Sequence, residues 1–499
     1  MRRDGLALET VFLVSLLIVL FFVGFGIASP VMLGRLSDLL YAYIIEYCSW
    51  VYLLATFLFL LFSVVLAFSR YGAITLGRDG EKPQYSYFGW FSMLFAAGMG
   101  IGLIFWGVAE PLVHYSGPPE FLAPGTPEAA SFAMLYSFFH WGLHPWAIYI
   151  IMSLSIAYFS FRREMPPLIS SCFYPLLGER IYGIWGNLID ILAVFATIFG
   201  IATSLGLGAL QIHSGLTRLY GIPDIMSVTF GIIAVATVLF MISSILGLDK
   251  GIQTLSKTNM LIAAVLLAFM LLVGPSSYIM NVFSSTLGEY ANSLMELSLQ
   301  SYPFAGYEWS RAWTIFYWAW WISWSPFVGL FVARISRGRT IRELVLGVLL
   351  VPTIFTFIWF SVFGGSALHL QLERGVDIAA VAAEDSSMAL FALFEHYPLA
   401  GPLSLLAILL LFVFFVTSAD SATFVLGSMT SRGSLHPPLY RKLVWGVVQS
   451  AVAVILLFTG GLLALQQMAI VAALPFTVVM VLLCYNLFAG LSREGEEGG

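Results

Sequence analysis

The fold class that the sequence predicts is an all-α polytopic membrane protein with twelve transmembrane helices. Three observations carry this. Of 499 residues, 60% are hydrophobic and 10% charged, against about 25% charged in soluble domains, and the mean hydropathy is +0.93. The apolar runs do not alternate in polarity, as strands of a membrane barrel would. A span needs about 20 apolar residues, and twelve runs of that order occur, near 11–28, 48–69, 87–109, 129–160, 184–212, 225–244, 258–274, 312–333, 344–365, 404–428, 443–460 and 466–489.

The first run follows Arg2 and Arg3. It is longer than a typical signal-peptide core and no A-x-A site follows, so it is expected to persist as span 1. Only Arg35, Arg218, Arg311 and Arg374 of the 22 Lys and Arg residues fall in alternate connections on one side. That bias predicts both termini in the cytoplasm, as in a cell-membrane protein. Residues 1–86 hold spans 1 and 2, 87–274 spans 3–7, and 312–489 spans 8–12. The connections 275–311 and 366–403 each contain a stretch, Tyr278–Leu297 and Ser386–Phe394, able to lie flat as an amphipathic helix. Residues 490–499 form a short acidic tail with little room for a regulatory module. Cys48, Cys172 and Cys484 have neither disulfide nor metal spacing and read as packing residues. A net charge of -5 gives no reason to expect a nucleic-acid partner.

Span 3 contains Ala97–Phe105, A-G-M-G-I-G-L-I-F, with Gly98, Gly100 and Gly102 at alternate positions. Each glycine costs a helix about 1 kcal/mol relative to alanine. The run therefore predicts an unwound backbone, which a membrane tolerates only inside protein or along a cavity. Freed carbonyls there are ligands for a hard cation such as Na⁺. The alternative is close helix packing through the G-x-x-x-G spacing of Gly98 and Gly102. Span 8 carries Ser325-Pro326 and Gly329, and proline within a span predicts a break or kink. Interrupted first helices in two five-span sets point to an inverted-repeat transporter and its binding site.

Span 4 carries His140-Trp141-Gly142-Leu143-His144-Pro145-Trp146-Ala147-Ile148-Tyr149, with a kink expected at Pro145. In span 8, Tyr317, Trp320 or Trp321, Trp324, Phe327 or Val328, and Phe331 recur at helical spacing. Trp141, Trp146, Trp318, Trp320, Trp321 and Trp324 lie too deep and too close together for an interfacial belt. Indole faces with no acid nearby suit a quaternary ammonium group, which cannot donate hydrogen bonds; each face contributes about 0.5–2 kcal/mol. The alternative is aromatic core packing. Thr417 and Ser418 in span 10 either bond back to their own helix or complete an oxygen cage for Na⁺. Asp420 is an intramembrane carboxylate with a functional or a hydrogen-bonding role. His140 and His144 have a zinc-compatible spacing, but no third ligand is evident and Pro145 disturbs the geometry. Asp190 opens span 5 near the cytoplasmic interface.

On these residues the chain resembles the betaine/carnitine/choline transporter family. The likeness runs through G-M-G-I-G-L-I-F-W-G-V-A-E-P-L (Gly98–Leu112), His140–Tyr149, Y-W-A-W-W-I-S-W-S-P-F-V-G (Tyr317–Gly329), A-R-I-S-R-G-R-T-I-R-E (Ala333–Glu343) and T-S-A-D-S (Thr417–Ser421), and covers essentially all twelve spans. It implies two peripheral helices followed by a five-plus-five inverted repeat, an amino-acid:sodium symporter-type fold, and a homotrimer. It implies a substrate box of Trp141, Trp146, Tyr149 and Trp321, with Trp324 and the backbone of Met99, Gly100 and Ile101 beside it. Trp320, Phe327 and Phe331 would lie along the cytoplasmic route. One sodium site would use backbone oxygens near Ala96 and Met99 and of Phe414, with the hydroxyls of Thr417 and Ser418. The hydroxyls of Thr197–Ser204 depart from the family's second sodium site, which leaves the number of ions open.

Proton-coupled choline members resemble G-x-G-I-D at the glycine run, where this chain has Gly102. Carnitine exchangers lose the G-M-G-I-G pattern, which this chain keeps. Both comparisons imply sodium symport of a zwitterionic compatible solute, glycine betaine first, for osmoprotection. Proton-coupled or exchange transport of choline, carnitine or ectoine is the alternative. Osmosensing members resemble this core but add a long basic C-terminal extension; residues 490–499 are short and acidic, so tail-based osmotic activation is not expected. A membrane sensor lacks a signalling domain in this sequence, and a membrane enzyme lacks an evident nucleophile–base pair or metal-ligand cluster. The expected cofactor set is Na⁺ alone.

Overall fold

The structure, a computed structural model, describes residues 3–98, 100–246 and 249–497. The chain is helical throughout, with no strand among the described residues. It begins with α1 (Arg3–Ala28), α2 (Pro30–Phe68), α3 (Tyr87–Gly98), α4 (Ile101–Ser116), α5 (Pro127–Trp141) and α6 (Leu143–Ala157). Then come the short α7 (Tyr174–Leu177), α8 (Ile184–Tyr220), α9 (Met226–Leu246), α10 (Asp249–Val273), α11 (Ser276–Leu299) and α12 (Tyr307–Ala312). The last elements are α13 (Thr314–Ile335), α14 (Ile341–Glu373), α15 (Ile378–Glu384), α16 (Ala389–Phe394), α17 (Ala400–Met429) and α18 (Leu439–Glu497).

Ten helical stretches among the described residues are long and apolar enough to cross a membrane. The number differs from the twelve runs in the sequence for two reasons. The α3–α4 pair is split at the glycine run into helices of 12 and 16 residues. The runs 443–460 and 466–489 fall within α18, whose backbone leaves the helical region at Gly460 and Gly461. Gly461 has φ 59°, which a side chain would strain.

Burial ranks the helices. The apolar windows of Pro127–Arg162 and Tyr307–Ile335 are 94% and 89% buried, whereas those of α9 and of Leu255–Val273 in α10 are 28% and 22% buried. The first two stretches therefore form the centre and the last two the rim. There α13 packs against α6, α8 and α18, and α4 packs against α5 and α14.

Three local features shape the centre. At the first, α3 stops at Gly98 and α4 restarts at Ile101, with Gly100 fully extended (φ -148°, ψ 179°). The unwinding read from the three glycines is present. At the second, the span 4 break falls at Gly142 (φ -90°, ψ -133°), not at Pro145. Pro145 lies in the first turn of α6, where its missing N–H removes no helical bond. A Cβ at Gly142 would lie 2.5 Å from the Phe138 carbonyl oxygen and 2.8 Å from the Tyr290 hydroxyl. That hydroxyl in turn accepts from the Leu143 N–H at 3.2 Å.

The third is a correction. Pro326 does not interrupt span 8: α13 runs unbroken from Thr314 to Ile335. Proline at 326 leaves the Ile322 carbonyl without its helical donor, and the Ser325 hydroxyl donates to that oxygen at 2.7 Å. Ser325→Ala is expected to lower the melting temperature of the detergent-solubilised protein by the equivalent of about 1–3 kcal/mol, because it strands a buried carbonyl. An unchanged melting temperature would show that another group bonds that oxygen.

The basic connections gather on one face. Arg162 bonds Asp79 at 2.8 Å and also Glu494, Arg78 bonds Glu164 at 2.6 Å, and Arg337 bonds Glu81 at 2.6 Å. Arg339 lies 4.1 Å from the Trp90 ring and 4.4 Å from that of Tyr87. A capping box of Thr340 and Glu343 starts α14 beside it. On another side of the bundle Arg218 grips Glu395, which holds that carboxyl below the usual carboxylate range.

Candidate functional site

The break at Gly100, the bend at Gly142 and the unbroken α13 converge on one cavity. Its free space is about 30 Å³. Gly100, Gly102 and Leu103 line it from the broken span, Trp141, Pro145, Trp146 and Tyr149 from α5 and α6, and Trp320, Trp321 and Trp324 from α13. Ser204 of α8 and Thr356 of α14 complete the lining. The broken span and the aromatic clusters, far apart in the chain, thus face one space.

The rings meet mostly edge to face. Trp141 and Trp321 have centroids 4.8 Å apart at 76°, Trp146 and Tyr149 5.5 Å at 77°, and Tyr149 and Trp321 6.3 Å at 81°. Trp320 is stacked on Trp321 at 4.7 Å and 14°. Two of the tryptophan N–H groups around the cavity are bonded to backbone carbonyls. Trp321 donates to the His140 carbonyl at 3.0 Å, and Trp324 to the Gly200 carbonyl at 3.1 Å. The lining is mainly aromatic ring, the chemistry that holds a methylated cation. Thr356 donates to the Trp141 carbonyl at 3.0 Å, and Trp359 to the Leu103 carbonyl at 3.1 Å. These bonds tie α14 to both sides of the cavity.

Other candidates fall elsewhere. Met99 lies outside the described residues. Ile101 is not among the lining residues; its side chain meets Gly208 of α8. Trp318 turns away to stack on His144 at 5.3 Å and 25°. Trp320, expected along a route out, lines the central cavity. Phe327 packs on Trp324 at 5.4 Å, and Phe331 is 37% exposed. A second cavity, of about 160 Å³, lies between α6, α13 and α17, with Leu330, Arg334, Phe424 and Ser428 in its wall.

Of the sodium candidates, Ala96 is on α3, and Phe414, Thr417 and Ser418 are on α17, which packs against α4 and α8. The Thr417 hydroxyl donates to the Val413 carbonyl at 2.8 Å and lies 3.3 Å from the Phe414 carbonyl. Thr197 and Thr203 of α8 also bond carbonyls of their own helix. Asp190 is buried and accepts from the Ser170 N–H and hydroxyl, which makes it a local cap.

Two expectations need correction. An acid does lie near the indoles: Glu110, fully buried on α4, accepts from Trp141 Nε1 at 2.7 Å and from the Tyr317 hydroxyl at 2.5 Å. It is not among the lining residues, so it sits behind Trp141. His140 does have further ligand-type groups beside it, but these are Glu110 and His114, not His144. His140 Nδ1 is 2.7 Å from Glu110 Oε1, whereas His144 bonds Ser298 at 2.8 Å. Glu110 was missed because the apolar run of span 3 ends at 109, while α4 continues to Ser116. The rule that an intramembrane carboxylate is a functional candidate would have found it.

Residues 10–496 match the family model described as betaine/carnitine/choline family transporter. The chain belongs to this family. It is 50% identical over 492 residues to the glycine betaine transporter OpuD of Bacillus subtilis, covering 98% of this chain and 96% of that one. It is 45% identical to a probable glycine betaine transporter of Desulfitobacterium hafniense over 97% of this chain and 98% of the relative. It is 44% identical to an ectoine/hydroxyectoine transporter of Virgibacillus pantothenticus over 98% and 97% of the two chains. As a member of the betaine/carnitine/choline family, the protein is a multi-pass membrane transporter, and its relatives are named as transporters, not as enzymes.

Proposed function

We propose that this protein is a secondary transporter that carries glycine betaine together with Na⁺ by alternating access. The observation that supports it best is the union of four aromatic rings and a helix break in one cavity. Trp141, Trp146, Tyr149 and Trp321 present π-faces to a trimethylammonium group. The free N–H groups at the start of α4 favour a carboxylate at the other end of the same zwitterion. The likeness over nearly the whole chain to relatives named for glycine betaine supports the same substrate.

Na⁺ would bind between the end of α3 and α17, on backbone oxygens near Ala96 and Met99 and of Phe414 and the hydroxyls of Thr417 and Ser418. An ion there orders the break, and the ordered break receives the carboxylate. Ion and substrate then raise each other's affinity, as linkage requires. The free space of about 30 Å³ is roughly two waters' worth. Binding therefore demands that the walls part, with Trp324 and Phe327 moving on the side of the second cavity. On this reading the chain crosses the cell membrane twelve times, with both termini cytoplasmic. It assembles as a homotrimer and serves osmoprotection.

Uptake of labelled glycine betaine into proteoliposomes tests this. An inward Na⁺ gradient is expected to drive accumulation that an H⁺ gradient alone does not, and unlabelled betaine is expected to compete better than choline, carnitine or ectoine. Equal uptake without Na⁺ would defeat the coupling. Stronger competition by ectoine would move the substrate to that of the Virgibacillus relative.

A further inference from the structure

Glu110 is saturated with hydrogen bonds. Its Oε1 lies 2.7 Å from His140 Nδ1 and 3.3 Å from His114 Nε2, and its Oε2 accepts from Trp141 Nε1 at 2.7 Å and the Tyr317 hydroxyl at 2.5 Å. Glu110, His114 and His140 are all fully buried. A buried carboxylate needs such partners, and it holds them in return. The indole N–H is a donor with one direction, so fixing its acceptor fixes the plane of the Trp141 ring.

The hold extends to the neighbouring rings. Tyr317 is stacked on His140 at 4.5 Å and 23°, and on Trp321 at 6.2 Å and 25°. The His140 carbonyl receives the Trp321 N–H at 3.0 Å, and His140 Nε2 lies 3.0 Å from the Thr314 hydroxyl. One carboxylate on α4 thus joins α5 and α13 behind the cavity.

We propose that Glu110 is a positioning residue for transport: it sets the orientation of Trp141 directly, and of Trp321 through His140 and Tyr317, without touching substrate. The inference rests on the reading of these rings as the betaine site. The cluster has the donor types of a metal centre, but both carboxylate oxygens are already occupied by N–H and O–H donors. Hydrogen bonding accounts for every contact of the carboxylate.

The test compares Glu110→Ala, Glu110→Gln and Tyr317→Phe in proteoliposomes. It reads KM and Vmax for uptake and the substrate-induced change in tryptophan fluorescence. Glu110→Ala is expected to raise KM about tenfold with Vmax within about twofold, and to blunt the fluorescence change. Glu110→Gln keeps an acceptor for Trp141, and its amide donates to the other imidazole tautomer, so KM should return to within about threefold of wild type. Should the alanine variant fail to reach the membrane, Tyr317→Phe carries the test, with a KM rise of about threefold expected. Wild-type KM in the alanine variant, or in Tyr317→Phe where that variant carries the test, would overturn the proposal. So would a Gln variant as impaired as Ala, which would assign the effect to charge, or loss of wild-type uptake after chelator dialysis, which would assign the cluster to a metal. Failure of the wild type to take up betaine would indict the substrate reading instead, and the same ratios are then read with the solute it does carry.

Discussion

Trp321→Leu is expected to raise the KM for glycine betaine about 30-fold or more while the protein reaches the membrane at its normal level. Trp321 occupies the meeting point of the aromatic wall: it is edge-on to Trp141 at 4.8 Å and stacked on Trp320 at 4.7 Å. Removing one π-face in a desolvated site forfeits about 2 kcal/mol or more, a factor near 30 or above. The same change strips the His140 carbonyl of the N–H it receives at 3.0 Å. The indole is 6% exposed, so leucine leaves a gap, and some stability is lost as well. Kinetics of labelled betaine uptake, normalised to protein in the membrane, measure the effect. Unchanged KM would take the ring out of the binding step.

Gly102→Val is expected to reduce uptake about 100-fold, for a different reason. A Cβ at Gly102 would lie 2.4 Å from Trp320 Cη2 and 3.0 Å from Trp141 Cη2. The end of an indole can swing aside only if it has room. Trp320 has none, since it is stacked between Phe316 at 5.6 Å and Trp321 at 4.7 Å. Trp141 is held by Glu110 at 2.7 Å. Valine must therefore push the start of α4 away from α13 and distort the cavity. Initial rates at saturating betaine, beside the melting temperature, separate lost transport from lost folding. A wild-type rate would mean that these indoles move freely.

The glycine run and Pro326 show what local sequence can and cannot say about a helix break. Three alternate glycines lower the helix preference of every residue around them, and no side chain is present to restore it, so the backbone opened as expected at Gly100. Proline removes one donor, a deficit that a single neighbour can repair. Ser325 does so, and α13 stays continuous. The pattern at Gly142 teaches the same lesson: the bend sits where backbone and the Tyr290 hydroxyl crowd too closely for a Cβ, and Pro145 merely begins the next helix.

The aromatic residues were legible as a set, because tryptophans deep in two apolar runs have no interfacial duty. Which of them share a wall was not, since 320, 321 and 318 are near neighbours in the chain and their faces depend on the rotation of α13. Glu110 was the larger omission. Its partners are 4, 30, 31 and 207 residues away in the chain, and no short motif joins them.

By itself the sequence determined the membrane character, the helical class, the weak point in span 3 and the family. These follow from composition, local propensity and contiguous motifs, which need no partner to act. Only the tertiary structure decided that Pro326 is absorbed, that the bend lies at Gly142, and that a buried carboxylate stands behind Trp141. Each depends on a hydrogen bond or a steric contact whose geometry the packing of the helices sets.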